Sequence, residues 1–173
     1  TKHLATRFKE KIGQNVNLLG EVVLGNEEAD HRYHHYLEAL ESPDINYISV
    51  KISGIYAQTH ALNYEESFPE LVSRMSALYQ KAIDFPYTDE DGIKRSKFIN
   101  LDMEEYKDAH FTLRLFKAVL NLPQFKNYSA GIVVQAYLPD AYDFQTELLE
   151  FAKARIDGGG APIKMRLVKG CNL

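Results

Sequence analysis

The chain has 173 residues, 45% of them hydrophobic and 12% aromatic, with 20 Lys and Arg against 24 Asp and Glu for a net charge of −4. A chain of this size buries roughly 70% of the surface its unfolded form exposes; the composition therefore excludes intrinsic disorder, and mild acidity without a basic run gives no footprint for nucleic acid. A single cysteine, Cys171, excludes an internal disulfide and fits a reducing compartment, while no stretch reaches the ~18 apolar residues of a membrane span, and Thr1-Lys2-His3-Leu4 does not open a signal peptide, so a soluble cytoplasmic chain is expected.

In chain order, a first strand is expected over Val16 to Glu21, followed by a helix from Glu27 to Leu40 preceded by Asn26. The second strand, Tyr47 to Ser53, leads to a helix opened by a capping box at Ser67-Phe68-Pro69-Glu70. The stretch from Phe85 to Lys97, with Pro86, Asp89, Glu90, Asp91 and Gly92, reads as a polar surface loop. The third strand, Phe98 to Glu104, runs into a helix that ends at Leu120 before Pro123. The fourth strand, Gly131 to Tyr137, precedes a helix from Phe144 to Ile156 closed by Gly158, and the fifth strand covers Ile163 to Lys169.

Strict alternation of strand and helix makes the class α/β, with parallel strands joined by right-handed crossovers. The strands are not uniformly apolar, as they would be with helices on both faces. In the second, Ile48, Val50 and Ile52 oppose Ser49, Lys51 and Ser53; in the third, Ile99, Leu101 and Met103 oppose Asn100, Asp102 and Glu104. Asn17, Leu19 and Glu21 share a face, as do Val133, Gln135 and Tyr137, and Lys164, Arg166 and Val168. Helices packed over such a face would bury unpaired charges at a cost of several kcal/mol each, whereas a barrel lumen accommodates them. The expected architecture is a partial (β/α)8 barrel. A complete one takes eight strands and ~250 residues, so five strands in residues 1–173 are expected to be a truncated piece whose barrel does not close.

Glu21, Lys51, Asp102, Glu104, Gln135 and Arg166 fall towards the C-terminal ends of their strands, where barrel enzymes keep their active sites. Fixed cations, carboxylates and an amide around one hollow suit an anionic substrate and a cofactor. No hydrolytic nucleophile stands out, and neither Glu21 nor Glu104 is given a chemical step. His31, His34 and His35 offer no third metal ligand. Gly158-Gly159-Gly160 follows a helix, the wrong order for a phosphate loop. The residues by themselves leave open a Schiff-base lyase acting through Lys169 or Lys51, and a non-catalytic binding or assembly module.

Five segments resemble, in order, the strand motifs of the proline dehydrogenase family: Val16-Asn17-Leu18-Leu19-Gly20-Glu21, Tyr47-Ile48-Ser49-Val50-Lys51-Ile52-Ser53, Asn100-Leu101-Asp102-Met103-Glu104-Glu105, Gly131-Ile132-Val133-Val134-Gln135-Ala136-Tyr137 and Arg166-Leu167-Val168-Lys169-Gly170. They are most similar to the flavoenzyme domain of bacterial bifunctional proline utilisation A proteins. The resemblance implies a distorted barrel that binds FAD and oxidises L-proline to pyrroline-5-carboxylate, with quinone as electron acceptor. It also implies an aldehyde dehydrogenase domain elsewhere in the parent and peripheral membrane association of that parent, while the sheet edges and lumen surface of a half-open barrel invite association into oligomers. By the resemblance, Lys51 pairs with the proline carboxylate beside Asp102, with Cys171 at the substrate pocket, while Gln135, Arg166, Val168 and Gly170 contact FAD. Two departures stand out: Cys171 replaces an alanine usual in the family, and the chain has no Arg-Arg pair of the kind that completes the family's carboxylate clamp. The chain by itself is therefore expected neither to hold FAD tightly nor to turn over proline.

Overall fold

The computed structural model describes residues 2–10, 12–17, 25–57 and 64–169. The elements are α1 Lys2–Lys9, β1 Val16–Asn17, α2 Asn26–Glu41, β2 Tyr47–Lys51, α3 Tyr64–Asp84, β3 Tyr87–Thr88, β4 Lys94–Arg95, β5 Phe98–Asp102, α4 Ala109–Leu120, β6 Gly131–Gln135, α5 Ala141–Asp157 and β7 Lys164–Val168. Five parallel strands form one sheet in the order β1-β2-β5-β6-β7, which is also their order along the chain. A doubly wound sheet reverses direction at a switch point. Here it does not, so right-handed crossovers place α2, α3, α4 and α5 on one face and leave the other to curl around a lumen, as in a barrel. Among the described residues, hydrogen bonding does not close the sheet, and β1 and β7 are its edges.

The helix-facing side is the core. Ile48, Val50, Ile99, Leu101, Ile132 and Val134 are at most 1% exposed. They meet Leu71, Met75, Leu78, Tyr79 and Ala82 of α3, whose spacing is one helical stripe, together with Leu115, Phe116, Val119 and Leu120 of α4. Fully burying one such aliphatic side chain is worth about 1.5 to 3 kcal/mol.

Several elements differ from the sequence expectation. Glu21, at the expected end of the first strand, falls outside the described residues. Helix α3 already runs at Tyr64, and Ser67 is no cap: its hydroxyl donates to the Tyr64 carbonyl, three residues back inside the helix. Helix α5 starts at Ala141, three residues before Phe144, and the left-handed residue that ends it is Gly159 (φ 73°), one beyond Gly158. The expected loop from Phe85 to Lys97 contains the antiparallel hairpin β3–β4, whose turn is held by Asp89 accepting from the N–H groups of Asp91 and Ile93. Its last residue is not on the surface. Lys97 is 2% exposed, and its ammonium donates to the Ser42 carbonyl while Tyr128 donates to its own carbonyl.

Arg155 of α5 carries much of the packing beneath the sheet. Its guanidinium donates to the carbonyls of Leu120, Phe125, Lys126, Tyr128 and Ala161, tying the end of α4 to the approaches of β6 and β7. A planar fork of five donors is suited to such a convergence of carbonyls. Among the described residues, no helix is long and apolar enough to cross a membrane.

Candidate active site in the sheet lumen

The register fixes which side chains share a level of the lumen. Asn17, Ser49, Asn100, Gly131 and Lys164 are successive partners across all five strands. One level further towards the strand C-termini, Lys51 pairs with Asp102 and Val133 with Arg166; above them, Gln135 pairs with Val168. The sequence-predicted residues Lys51, Asp102, Gln135, Arg166 and Val168 therefore lie on neighbouring levels of one face. Gly170 and Cys171 lie outside the described residues.

Asp102 is the hub. Its Oδ1 accepts from Arg166 Nη2 at 2.8 Å, from Asn100 Nδ2 at 2.7 Å and from Ser49 Oγ at 3.3 Å. Ser49 is itself fixed by Asn15 Nδ2 at 2.8 Å. The side chain of Asp102 is 13% exposed and that of Arg166 37%, so the pair sits at the lumen wall, where only its inner part is shielded from water. Three donors on one oxygen hold both the carboxylate and the guanidinium in place.

Lys51 does not share this carboxylate. Its ammonium faces Glu104 Oε1 at 3.6 Å, while Glu104 Oε2 accepts the Ser53 backbone N–H at 3.2 Å. The site therefore consists of two cation–carboxylate pairs, Arg166 with Asp102 and Lys51 with Glu104, rather than one aspartate serving both cations. Glu104 is within reach because β5 ends at Asp102 and the chain then leaves the ladder. Gln135 covers that departure: its Nε2 donates to the carbonyls of Met103 and Glu104, at 3.3 and 3.2 Å.

Among the described residues, three buried polar atoms of this face have no partner: Arg166 Nε, Gln135 Oε1 and Asn100 Oδ1. Such atoms are costly to leave unmade. Arg166 Nε and Gln135 Oε1 offer a donor and an acceptor on two adjacent strands, a set suited to a planar polar ligand laid across the C-terminal ends of β6 and β7. Gly131 makes room one level down. A Cβ there would lie 2.6 Å from Asn100 Oδ1 and 2.9 Å from the Phe98 ring, so only glycine lets Asn100 lean across to Asp102. Sequence parity placed Ser49 and Asn100 on this face but gave no role to either, and the bare Gly131 beside Asn100 was the available signal.

Tyr36 of α2 supports the strand end from outside. Its hydroxyl lies 2.9 Å from where a Cβ on Gly54 would be. Burial pushes this phenol up to about 12. Lys169, the alternative Schiff-base residue, is exposed and out of phase with Arg166. The rings of His31 and His35 on α2 have centroids 4.2 Å apart and are tilted at 59° to each other. Among the described residues, no three His, Cys, Asp or Glu side chains gather as metal ligands.

A family model described as proline dehydrogenase matches residues 1–173. Among solved structures, the chain is similar to proline utilization A (PutA) from Corynebacterium freiburgense, with 42% identity, a TM-score of 0.90, and coverage of 99% of this chain and 17% of that one. It is similar to PutA from Bdellovibrio bacteriovorus inactivated by N-propargylglycine, with 31% identity, a TM-score of 0.80, and coverage of 98% and 18%. A mutant PutA of Bradyrhizobium japonicum, at 24% identity with a TM-score of 0.74, shares the fold over 90% of this chain and 16% of its own. The chain thus spans less than a fifth of the length of these proteins. No curated protein matches it.

Proposed function

Since the chain belongs to the proline dehydrogenase family, we propose that its lumen face is part of the active site of an FAD-dependent enzyme that oxidises L-proline to pyrroline-5-carboxylate. The observation that carries the reading is the Arg166–Asp102 pair with its unpartnered Arg166 Nε beside the unpartnered Gln135 Oε1. Those atoms fit a flavin edge, which presents acceptors and N–H donors in one plane. Gln135, Arg166 and Val168 would hold the cofactor, with Gly170 assigned by the family motif alone. Bound FAD supplies the two-electron acceptor.

The chain's own residues do the rest by binding and orientation. Lys51 presents an ammonium whose N–H groups no acceptor among the described residues takes, so it can bind the substrate carboxylate, and that would fix which ring carbon faces the flavin. Removing a hydride from the carbon beside nitrogen, together with the N–H proton, leaves a C=N bond, and the nitrogen lone pair drives it; the amine must therefore be neutral. Arg166 keeps its charge and offers a planar set of donors where electron density arrives. Asp102 holds Arg166 there through Oδ1 and reduces its repulsion of Lys51. Cys171, by the family motif, would border the substrate pocket.

The same reading treats residues 1–173 as an early part of a longer barrel domain whose remaining strands would complete the wall beyond β7. It assigns quinone as the final electron acceptor and an aldehyde dehydrogenase domain elsewhere in the parent. It extends to a cytoplasmic parent with peripheral membrane association and self-association. The direct test is in the holoenzyme containing this chain. N-propargylglycine, which pairs an amine with a carboxylate, should inactivate it with loss of the flavin's visible absorption, and L-proline should protect. Inactivation that leaves the flavin spectrum unchanged, or that proline does not slow, would remove the assignment.

A further inference from the structure

From the Lys51 pairing we infer that Glu104 is a positioning residue, which holds the Lys51 ammonium in place for the substrate carboxylate. The inference rests on the reading of Lys51 given above. Three features place Glu104 in this role. First, its carboxylate is anchored independently of Lys51: Oε2 accepts the Ser53 N–H at 3.2 Å, and Ser53 belongs to the single helical turn Ile52–Gly54 that follows β2. That turn is pinned from outside by Tyr36 against Gly54. Second, the Lys51 ammonium sits 3.6 Å from Oε1, close enough for strong attraction but beyond a hydrogen bond. No acceptor among the described residues takes its N–H groups, so a ligand carboxylate binds without first breaking a bond. Third, the nearer-seeming anion is occupied. Asp102 is the register partner of Lys51, yet its Oδ1 already serves Arg166, Asn100 and Ser49. Without Glu104, Lys51 would stand as a second cation beside an already compensated Arg166.

The pair is partly exposed, with side chains 33% and 26% accessible, so its coupling is expected at the upper end of surface ion pairs, equivalent to about three- to fivefold in affinity. The experiment is a double-mutant cycle in the FAD-loaded holoenzyme with Glu104→Gln, Lys51→Met and both together. Three quantities are read: KM and kcat for L-proline, and the dissociation constant of tetrahydro-2-furoate, a carboxylate whose ring oxygen replaces the amine. Glu104→Gln is expected to raise KM and the analogue's dissociation constant together by about three- to fivefold while leaving kcat and flavin content near wild type. Added to Lys51→Met, it should do nothing further. Additive losses in the double variant, a fall in kcat at unchanged KM, or unchanged analogue affinity in Glu104→Gln would each overturn the role of Glu104. If Lys51→Met itself binds the analogue normally, the reading of Lys51 fails and this inference with it. Should Glu104→Gln not fold, the cycle is run with Glu104→Asp, whose shorter carboxylate withdraws from Nζ; coupling to Lys51→Met supports the role and its absence overturns it.

Discussion

The two faces of the five-stranded sheet obey different rules. The helix-facing side is apolar at every central position and excludes water. The lumen side of the same strands carries Ser49, Lys51, Asn100, Asp102, Gln135 and Arg166, and it leaves Arg166 Nε, Gln135 Oε1 and Asn100 Oδ1 without partners. A fold selected only for stability would fill that face with matched or apolar groups. The contrast therefore separates what holds the chain together from what is left ready for a ligand, and substitutions on the two faces should fail in different ways.

The largest effect belongs to the packed face. Leu101→Ala removes a fully buried side chain and should cost about 2 to 5 kcal/mol of folding stability, read by urea denaturation, with flavin affinity changed only through unfolding. Arg166→Met should do the reverse. The loss of its charge-assisted contacts is expected to weaken flavin binding by about 1.5 to 3 kcal/mol, read by fluorescence titration of FAD, with a smaller loss of stability than Leu101→Ala. Equal losses on both measures for both variants would erase the distinction between the faces.

Gly131→Ala tests the crowded level beneath the site. The new Cβ would press on Asn100 Oδ1 and the Phe98 ring, so a stability loss of about 1 to 3 kcal/mol is expected, along with displacement of Asn100 from Asp102. The smallest effect concerns Lys97, where burial pushes the ammonium down. A lowered folded-state value means the unfolded chain binds the proton more tightly. This group's contribution to stability therefore rises with pH, from the lowered folded-state value up to the ordinary lysine value of about 10.4. Lys97→Met should be neutral or stabilising by up to about 1 kcal/mol at neutral pH, because the Ser42 carbonyl keeps the Ile45 N–H. The gain should shrink as pH climbs through that window. Buried phenols act oppositely: Tyr36, raised to about 12, loses stability for both proteins above about 10, so the difference between wild type and variant is the quantity to follow.

Parity made much of this legible. Period-two alternation in Tyr47 to Lys51 and Phe98 to Asp102 placed Lys51 and Asp102 on one side, and the one-directional strand order confirms the unclosed-barrel expectation. The pairing of charges was not legible, because parity assigns a face without saying which carboxylate a long lysine reaches once β5 leaves the ladder at Asp102. Lys97 was misread for a similar reason. Polar neighbours from Tyr87 to Arg95 suggested a solvated loop, while the position before Phe98 is drawn beneath the sheet by Ala82, Ser42 and Tyr128. The start of α3 was hidden by a Ser-x-x-Glu pattern at Ser67 that imitates a capping box in a helix already under way.

The central claim is that the lumen charges serve the oxidation of proline by a bound flavin. Anaerobic addition of L-proline to the FAD-loaded holoenzyme tests it most directly, followed through the flavin's visible absorption. The account predicts that proline bleaches the wild-type flavin, and that Lys51→Met needs about 10 to 100 times more proline for the same bleaching, as loss of a charge-assisted contact to the carboxylate requires. A wild-type flavin left oxidised by proline, or a Lys51→Met variant reduced at the same proline concentration as wild type, would contradict it.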